Sequence, residues 1–431
     1  MKDFYSSIKN NSNLFINFMN KAITASPQVQ DNFLKVTNNV ANTIYKLLKH
    51  GNHIVDLEYI PNDFWIKNKN KTVAFVDGGV DKASIISAAP LSIRAGSYIV
   101  NKSKQKELFE ENMIFLGDLY DPNNELYEFL EDAHEEEALL SRKKDGARII
   151  FEAATLVKHV LMKQSLDYCF LHGPIQAILT PFTHASFPPF CQFAVENILP
   201  FNNNRKLNKD QRHFINIYLE CIKFIKKSKF PIWGVVETAV SASYIKNILF
   251  INKNKGIISQ KDYSQTISVI NKYRITDTNL FEIILKKNQG LKPLEIQKQF
   301  YGYKLIQKSI WDDVVEQYPN IFMGYIKVTD NQCPIRIETL NYPENFIKDY
   351  HYILAVSKLL PSYSFPIGLD VVDKFAKIPN WLSKASRNYH TSYLLKKAIA
   401  KRDKNTISLA VKILSKKNRG WSNRPARGLR R

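Results

Sequence analysis

The sequence predicts an α/β fold: a mixed β-sheet flanked by helices, with helical extensions at both ends. Three observations carry this reading. The run Lys71–Val80 holds the apolar stretch Val73-Ala-Phe-Val76 and closes on Asp77-Gly78-Gly79. An unbroken apolar run rich in β-branched and aromatic residues is the pattern of a strand buried on both faces. Leu166–Ile175 repeats the plan, with His172 before Gly173-Pro174, and Ile232-Trp-Gly-Val-Val236 gives a third such strand. Between these strands the apolar residues recur at helical spacing, as in 126–164 and 207–228.

In chain order, Phe33, Val36, Val40, Ile44 and Leu47 fall three and four apart before Gly51, which predicts a helical cap over 1–55. The Asp77 strand continues into two more expected strands, Ala83–Ala89 and Ala95–Val100, as an antiparallel meander. The helical pattern over 126–164 carries an acidic run, Glu135–Glu137, and an expected break at Asp145-Gly146. Past that break, Arg148 and Glu152 share a stripe at helical spacing. Glu152 has two readings, an ion pair with the arginine four residues earlier or a carboxylate offered to a site.

Further on come an expected helix at 244–251, a polar loop at 252–262, and Thr276 or Asp277 as a helix cap. Strands are predicted at Ile321–Val328 and Ile335–Thr339. A helix from Leu369 carries Asp370 and Asp373, and another spans 383–415. The last segment, 416–431, is a basic tail broken by Gly and Pro.

Composition narrows the class. The 431 residues are 45% hydrophobic, which is that of a globular protein long enough for one large domain with appendages or for two domains. The absence of a signal-peptide layout and of any long uncharged apolar stretch leads to an expectation of cytoplasmic location with no membrane. The four cysteines are scattered, with no C-x-x-C pair, so neither a disulfide framework nor a zinc site is expected.

The net charge of +21 favours a polyanionic partner. The tail holds seven Lys/Arg and no acid, so +14 remains for residues 1–415. Arg424, Arg427 and Trp421 in that tail are candidate DNA contacts, the arginines for phosphates and the indole for base stacking. Arg336 is a further candidate. It alternates with apolar residues and shares a strand face with Glu338, so it is read either as lining a cleft or as a structural ion pair.

Asp77, Glu152, His172 and Asp373 are the candidate catalytic residues, with Asp77, Glu152 and His172 as metal ligands. They are expected to converge on one cleft, because each sits at a strand end or on an adjoining helix. Oxygen ligands suit Mg²⁺ and Mn²⁺, and an imidazole tilts the choice toward Mn²⁺. Asp77-Gly-Gly is otherwise an ordinary turn.

Several pieces in their order resemble the NurA family. They are Val76-Asp77-Gly78-Gly79, Arg148-x-x-x-Glu152, Phe170-Leu-His-Gly-Pro174, Trp233-Gly-Val-Val236, Thr276-Asp277, Pro334-Ile-Arg-Ile-Glu338 and Phe365-Pro-x-x-Leu369. They span about 73–376. The resemblance implies an RNase H-like nuclease domain, here over 56–382, and a homodimer. It also implies Mn²⁺-dependent exonuclease and endonuclease activity on DNA, and a partnership with the HerA ATPase in end resection.

The chain departs from the family pattern at four positions. His172 stands where Asp is usual, Val372-Asp373 where Ala-His is usual, Phe365 where Tyr is usual, and Glu237 where Lys is frequent. Asp77 and Glu152 transfer directly, and His172 with Asp373 reads as an exchange of donors or as decay of the site. Three functions stand on the sequence: a DNA nuclease of repair or defence, a non-cutting DNA-binding subunit of such a complex, and a basic RNA-binding protein.

Overall fold

The computed structural model describes residues 12–408 apart from 58–59, 61–62, 81–91, 102–105, 116–118, 120–132, 162–164, 178, 180–181, 183–186, 188, 199–205, 301–310, 361–362, 403 and 406. The expected strand at 83–89 and the tail with Trp421, Arg424 and Arg427 lie outside the described residues.

One sheet of nine strands organises the described chain. The strands are β1 (Ile54–Asp56), β2 (Thr72–Val80), β3 (Ser92–Asn101), β4 (Lys106–Phe115), β5 (Tyr168–His172), β6 (Ile232–Val236), β7 (Gln289–Ile296), β8 (Ile321–Lys327) and β9 (Ile335–Thr339). Their order across the sheet is β1-β7-β8-β9-β6-β5-β2-β3-β4. The central strands β2, β5 and β6 run parallel, while β3 and β4 continue antiparallel on one side. On the other side β9, β8, β7 and β1 form an antiparallel wing. The portion β4-β3-β2-β5-β6, a meander followed by parallel strands, is the RNase H-like mixed sheet that the resemblance implies.

The helices cover both faces, as a sheet with parallel central strands requires. They are α1 (Ser12–His50), α2 (Phe64–Lys67), α3 (Ala133–Thr155), α4 (Gln192–Ile198), α5 (Phe214–Lys226), α6 (Ser243–Asn254), α7 (Gln260–Tyr273), α8 (Asp277–Ile284), α9 (Asp312–Glu316), α10 (Phe346–Ser357), α11 (Ile367–Ala376) and α12 (Asn380–Ala400).

Alternation along β2 sorts the two cores. Ala74 and Val76 point to a core shared with Ile150, Phe151 and Ala154 of α3 and Ile222 of α5. Phe75 points to the opposite core, with Phe170, Trp233, Ile353 of α10, and Leu369 and Val372 of α11. The N-terminal helix α1 packs against α8, α6 and α7 through Val40, Ala41, Ile44 and Leu48.

Several sequence expectations change in the fold. The helix α3 runs unbroken through Asp145-Gly146. A Cβ on Gly146 would lie 2.5 Å from the Phe187 ring, so this glycine admits a ring rather than ending a helix. Most of the expected polar loop at 252–262 is helical, since α6 runs to Asn254 and α7 starts at Gln260. Ser259 caps α7 by accepting from Asp262 N at 3.0 Å. The strands β1, β4 and β7 and the helix α10 had no clear periodic signal. The expected helix at 207–228 is shorter, Phe214–Lys226, and His213 is its N-cap.

At 276–277 the two cap candidates divide the work. Thr276 caps α8 in a capping box with Asn279. The Asp277 carboxylate instead accepts from Tyr244 N and Ile245 N, each at 3.0 Å. It thereby caps α6, whose own N-cap residue Ala242 supplies no side-chain acceptor.

Candidate metal and active site

Asp77 and His172 stand on adjacent parallel strands one residue beyond the pair Val76 and Leu171, with their side chains on the same face. Asp77 Oδ2 is 2.9 Å from His172 Nδ1, and Asp77 Oδ1 accepts from Gly78 N at 2.7 Å. The turn after His172 is fixed by Gly173, at φ 103°, where only glycine is unstrained.

Asp373 reaches the same place from α11, which packs across β2, β3 and β5. The approach is close because glycines remove the obstacles. A Cβ on Gly368 would sit 2.3 Å from the Phe75 ring, and one on Gly79 would sit 2.4 Å from Ala376 O. Arg94 of β3 lies 4.6 Å from the centre of the Phe375 ring and adds a cation–π anchor. Gly78 and Gly79 therefore do not make the sharp turn expected from the sequence. They lie inside β2, which continues to Val80, and each admits a neighbour on its own face.

The carboxylates of Asp77 and Asp373 and an imidazole nitrogen of His172 all lie within 4.8 Å of one another. Among the described residues this is the group able to hold a metal ion. Glu152 approaches from the other face, opposite Gly78, where its Oε1 would stand 2.7 Å from a Cβ on that glycine. Its Oε1 accepts from Arg148 Nη1 at 2.6 Å. The sequence assigned Glu152 to the ligand set and Asp373 only to the wider site, whereas the geometry groups Asp373 with Asp77 and His172. The reason is strand alternation: Asp77 and Gly78 face opposite sides of the sheet, toward α11 and α3 respectively.

The charges in the site act on one another. Burial pushes the Glu152 carboxyl up to about 7 against the pull of Arg148, and the Asp77 charge adds to the rise. Burial acts to lower the His172 pKa, but the hydrogen bond and charge of Asp77, with Asp373 behind, outweigh it and raise it. Lys377 pairs with Asp373 one helical turn on. That hydrogen bond raises the Lys377 pKa, with the Asp77 charge contributing. Lys377 was missed in the sequence, although its spacing of four from Asp373 on a helix is the readable signal.

Two carboxylates and an imidazole in reach of one another suit a divalent cation such as Mn²⁺. The field already draws positive charge, since an ammonium is held on Asp373 and the imidazolium is favoured at His172. The residues present therefore fit the metal that the resemblance implies.

Arg336 takes the structural of its two readings. It is 7% exposed, its Nε lies 3.0 Å from Glu338 Oε1, and its Nη1 donates to Ser241 Oγ at 3.1 Å. Glu338 Oε2 accepts from Ile175 N at 3.0 Å, so the pair braces the turn that follows His172. A buried guanidinium does not present itself to DNA, and the cleft-lining role is corrected to this one.

No family model matches the chain, and no curated protein matches it. Among solved structures, it is similar to the NurA nuclease from Sulfolobus solfataricus, with TM-score 0.46 and 12% identity over 86% of this chain and 98% of that one. A NurA structure with manganese gives TM-score 0.42 and 11% identity over 87% and 98%. A NurA structure bound to dAMP and manganese gives 0.39 and 11% over 85% and 94%. An endonuclease V from Bacillus subtilis gives 0.27 and 9% over 84% and 94%. Among the described residues no helix is long and apolar enough to cross a membrane. Along most of its length the chain is thus similar to NurA nucleases.

Proposed function

We propose that this chain is a metal-dependent nuclease that hydrolyses phosphodiester bonds in DNA. The observation that carries the reading is the Asp77–His172–Asp373 group, two residues from adjacent parallel strands and one from α11, in a protein of net charge +21. Asp77, His172 and Asp373 would hold Mn²⁺, or Mg²⁺ less readily. A bound divalent ion supplies an activated water and stabilises the leaving oxygen.

The chain's own residues supply the rest. Asp77 orients the His172 ring through Nδ1. Arg148 holds the Glu152 carboxyl beside Gly78, where, with its pKa near neutrality, it can give or take a proton at pH 7. Lys377 balances the Asp373 charge. The basic surface holds the phosphates, and the tail 416–431 adds to it.

The proposal extends to a homodimer fed by a HerA-like hexameric ATPase in DNA repair or defence. The family resemblance in the ordered segments from 73 to 376 supports it.

The test is cleavage of labelled linear duplex and single-stranded DNA by the purified chain in Mn²⁺, Mg²⁺ or EDTA, beside Asp77→Asn. The amide keeps the shape and loses the charge that holds the ion. Cleavage in Mn²⁺ that falls at least a hundredfold in the variant, with DNA binding retained, supports the reading. Wild type inert in every metal, with and without the ATPase, replaces it by the non-cutting DNA-binding subunit, which the Arg148 and Lys377 pairings on Glu152 and Asp373 would then explain. Robust cleavage that survives Asp77→Asn defeats the assignment of the site.

A further inference from the structure

The helix α12 leaves the site-bearing helix α11 after only three residues, 377–379, and carries an unusual exposed face. Trp381 is 68% exposed and Tyr389 is 66% exposed, and Tyr393 is also on the surface. On a helix of 100° per residue these three aromatics fall on one side together with Lys396 and Lys397. The stripe from Trp381 to Lys397 is about 24 Å long at about 1.5 Å per residue.

Its internal geometry is ordered. The Tyr389 and Tyr393 rings are nearly parallel, 12° apart in plane, with centroids 6.4 Å apart. Lys397 Nζ lies 4.9 Å from the centre of the Tyr393 ring. Two parallel rings at this separation are close to two steps of stacked bases, which repeat at about 3.4 Å.

Charge selects the occupant. Residues 380–402 contain six Lys/Arg and no acid. A second copy of the same face would bring like charges together, and an apolar peptide would leave the lysines unpaired. A polyanion with flat apolar faces satisfies both features.

We infer that the Trp381–Tyr389–Tyr393 face of α12 binds single-stranded DNA, with bases stacked on the aromatic rings and phosphates held by Lys396 and Lys397. Single strands expose base faces that a duplex keeps stacked, so the ridge discriminates by strandedness and not by sequence. This deepens the nuclease reading and rests on it for the choice of DNA, while the face itself lies outside the metal group. The ridge would hold a single strand next to the helix that carries Asp373.

The test uses the full chain in EDTA, where no cleavage occurs, and reads fluorescence anisotropy of a labelled 20-nucleotide oligo-dT and of a 20-base-pair duplex. Tyr389→Ala with Tyr393→Ala should weaken oligo-dT binding tenfold or more and change duplex binding less than threefold. The Tyr→Phe pair, which keeps the ring faces, should bind as wild type does. Lys396→Ala with Lys397→Ala should lower the slope of log affinity against log salt by about 1.4 for the single strand.

Both tyrosines are exposed, so a circular dichroism melt matching wild type is expected and shows that the fold is intact. Unchanged oligo-dT affinity in the alanine pair overturns the inference. So does a change of oligomeric state in that variant without loss of oligo-dT affinity, which would make the face a contact between copies. A wild type that cuts nothing yet loses oligo-dT binding in the alanine pair sinks the nuclease and leaves the ridge. A wild type that cuts in Mn²⁺ while the alanine pair binds normally does the reverse.

Discussion

His172 Nδ1, at the end of β5, stands 2.9 Å from Asp77 Oδ2 on the neighbouring parallel strand β2. The imidazole and the carboxylate are therefore one unit, and what is done to either is felt at the other. A divalent ion entering the group must compete with this hydrogen bond and with the proton that Asp77 helps His172 to keep.

That competition makes His172→Asp informative. A carboxylate replaces a nitrogen donor by an oxygen donor and removes the competing proton. The expected outcome is that the Mg²⁺-to-Mn²⁺ activity ratio rises by about tenfold, since hard oxygen ligands favour Mg²⁺. Metal titration by calorimetry, alongside cleavage rates in each ion, checks it.

Gly79→Ala should disturb the site without touching a site side chain. The new Cβ would lie 2.4 Å from Ala376 O, a backbone atom that can move only if α11 moves. Overpacking of this kind costs about 1–3 kcal/mol, and shifting α11 withdraws Asp373 from Asp77 and His172. Urea unfolding should show the lost stability, and Mn²⁺ affinity should fall with it.

Arg336→Met should leave Glu338 charged and buried, since Glu338 is 0% exposed. Breaking such a pair costs about 3–5 kcal/mol. Arg336→Met with Glu338→Leu should recover part of it, short of wild type because Ile175 N then loses its acceptor. The salt dependence of DNA binding should not change in the single variant, because the guanidinium is inside. Urea unfolding and salt titration of DNA binding are the two measurements.

Asp277 gives a pH prediction. Burial pushes its carboxyl up to about 6 from the ordinary 3.8, against the two backbone N–H groups and the Tyr325 hydroxyl that favour the anion. A folded-state pKa above the unfolded value means that the folded protein binds more protons between these pH values. This group's contribution is therefore fully present below about pH 4 and is lost as pH rises through about 6, a change of about 3 kcal/mol. The difference in melting temperature between wild type and Asp277→Asn, followed from pH 4 to 7, isolates it: the wild type should lose ground to the variant as pH rises.

The sequence by itself determined the central strands and the ends that matter. Continuous apolar runs at 73–76 and 168–171 and the run at 232–236 can be buried only between two layers, and that fixed β2, β5 and β6, with Asp77 just past the apolar run of β2 and His172 at the end of β5. Helical spacing gave α1, and the Thr276 cap gave the start of α8. These are local facts, set by a repeat of two or 3.6 residues along the chain.

The tertiary structure decided which residues meet. The glycines at 78, 79 and 146 looked like turns because glycine's permissiveness is visible in sequence, whereas the ring or carbonyl it makes room for is not. The edge strand β1, with only three residues, and the polar β4 and α7 lacked a pattern to read. Asp277 caps a helix that begins more than thirty residues earlier, and Asp373 joins Asp77 across almost three hundred. Strand alternation brings Glu152 up opposite Gly78, outside the three ligand atoms that meet but close enough for its charge to bear on Asp77 and His172. Contacts over such distances depend on how helices seat on a sheet, which side-chain volumes decide and no local period encodes.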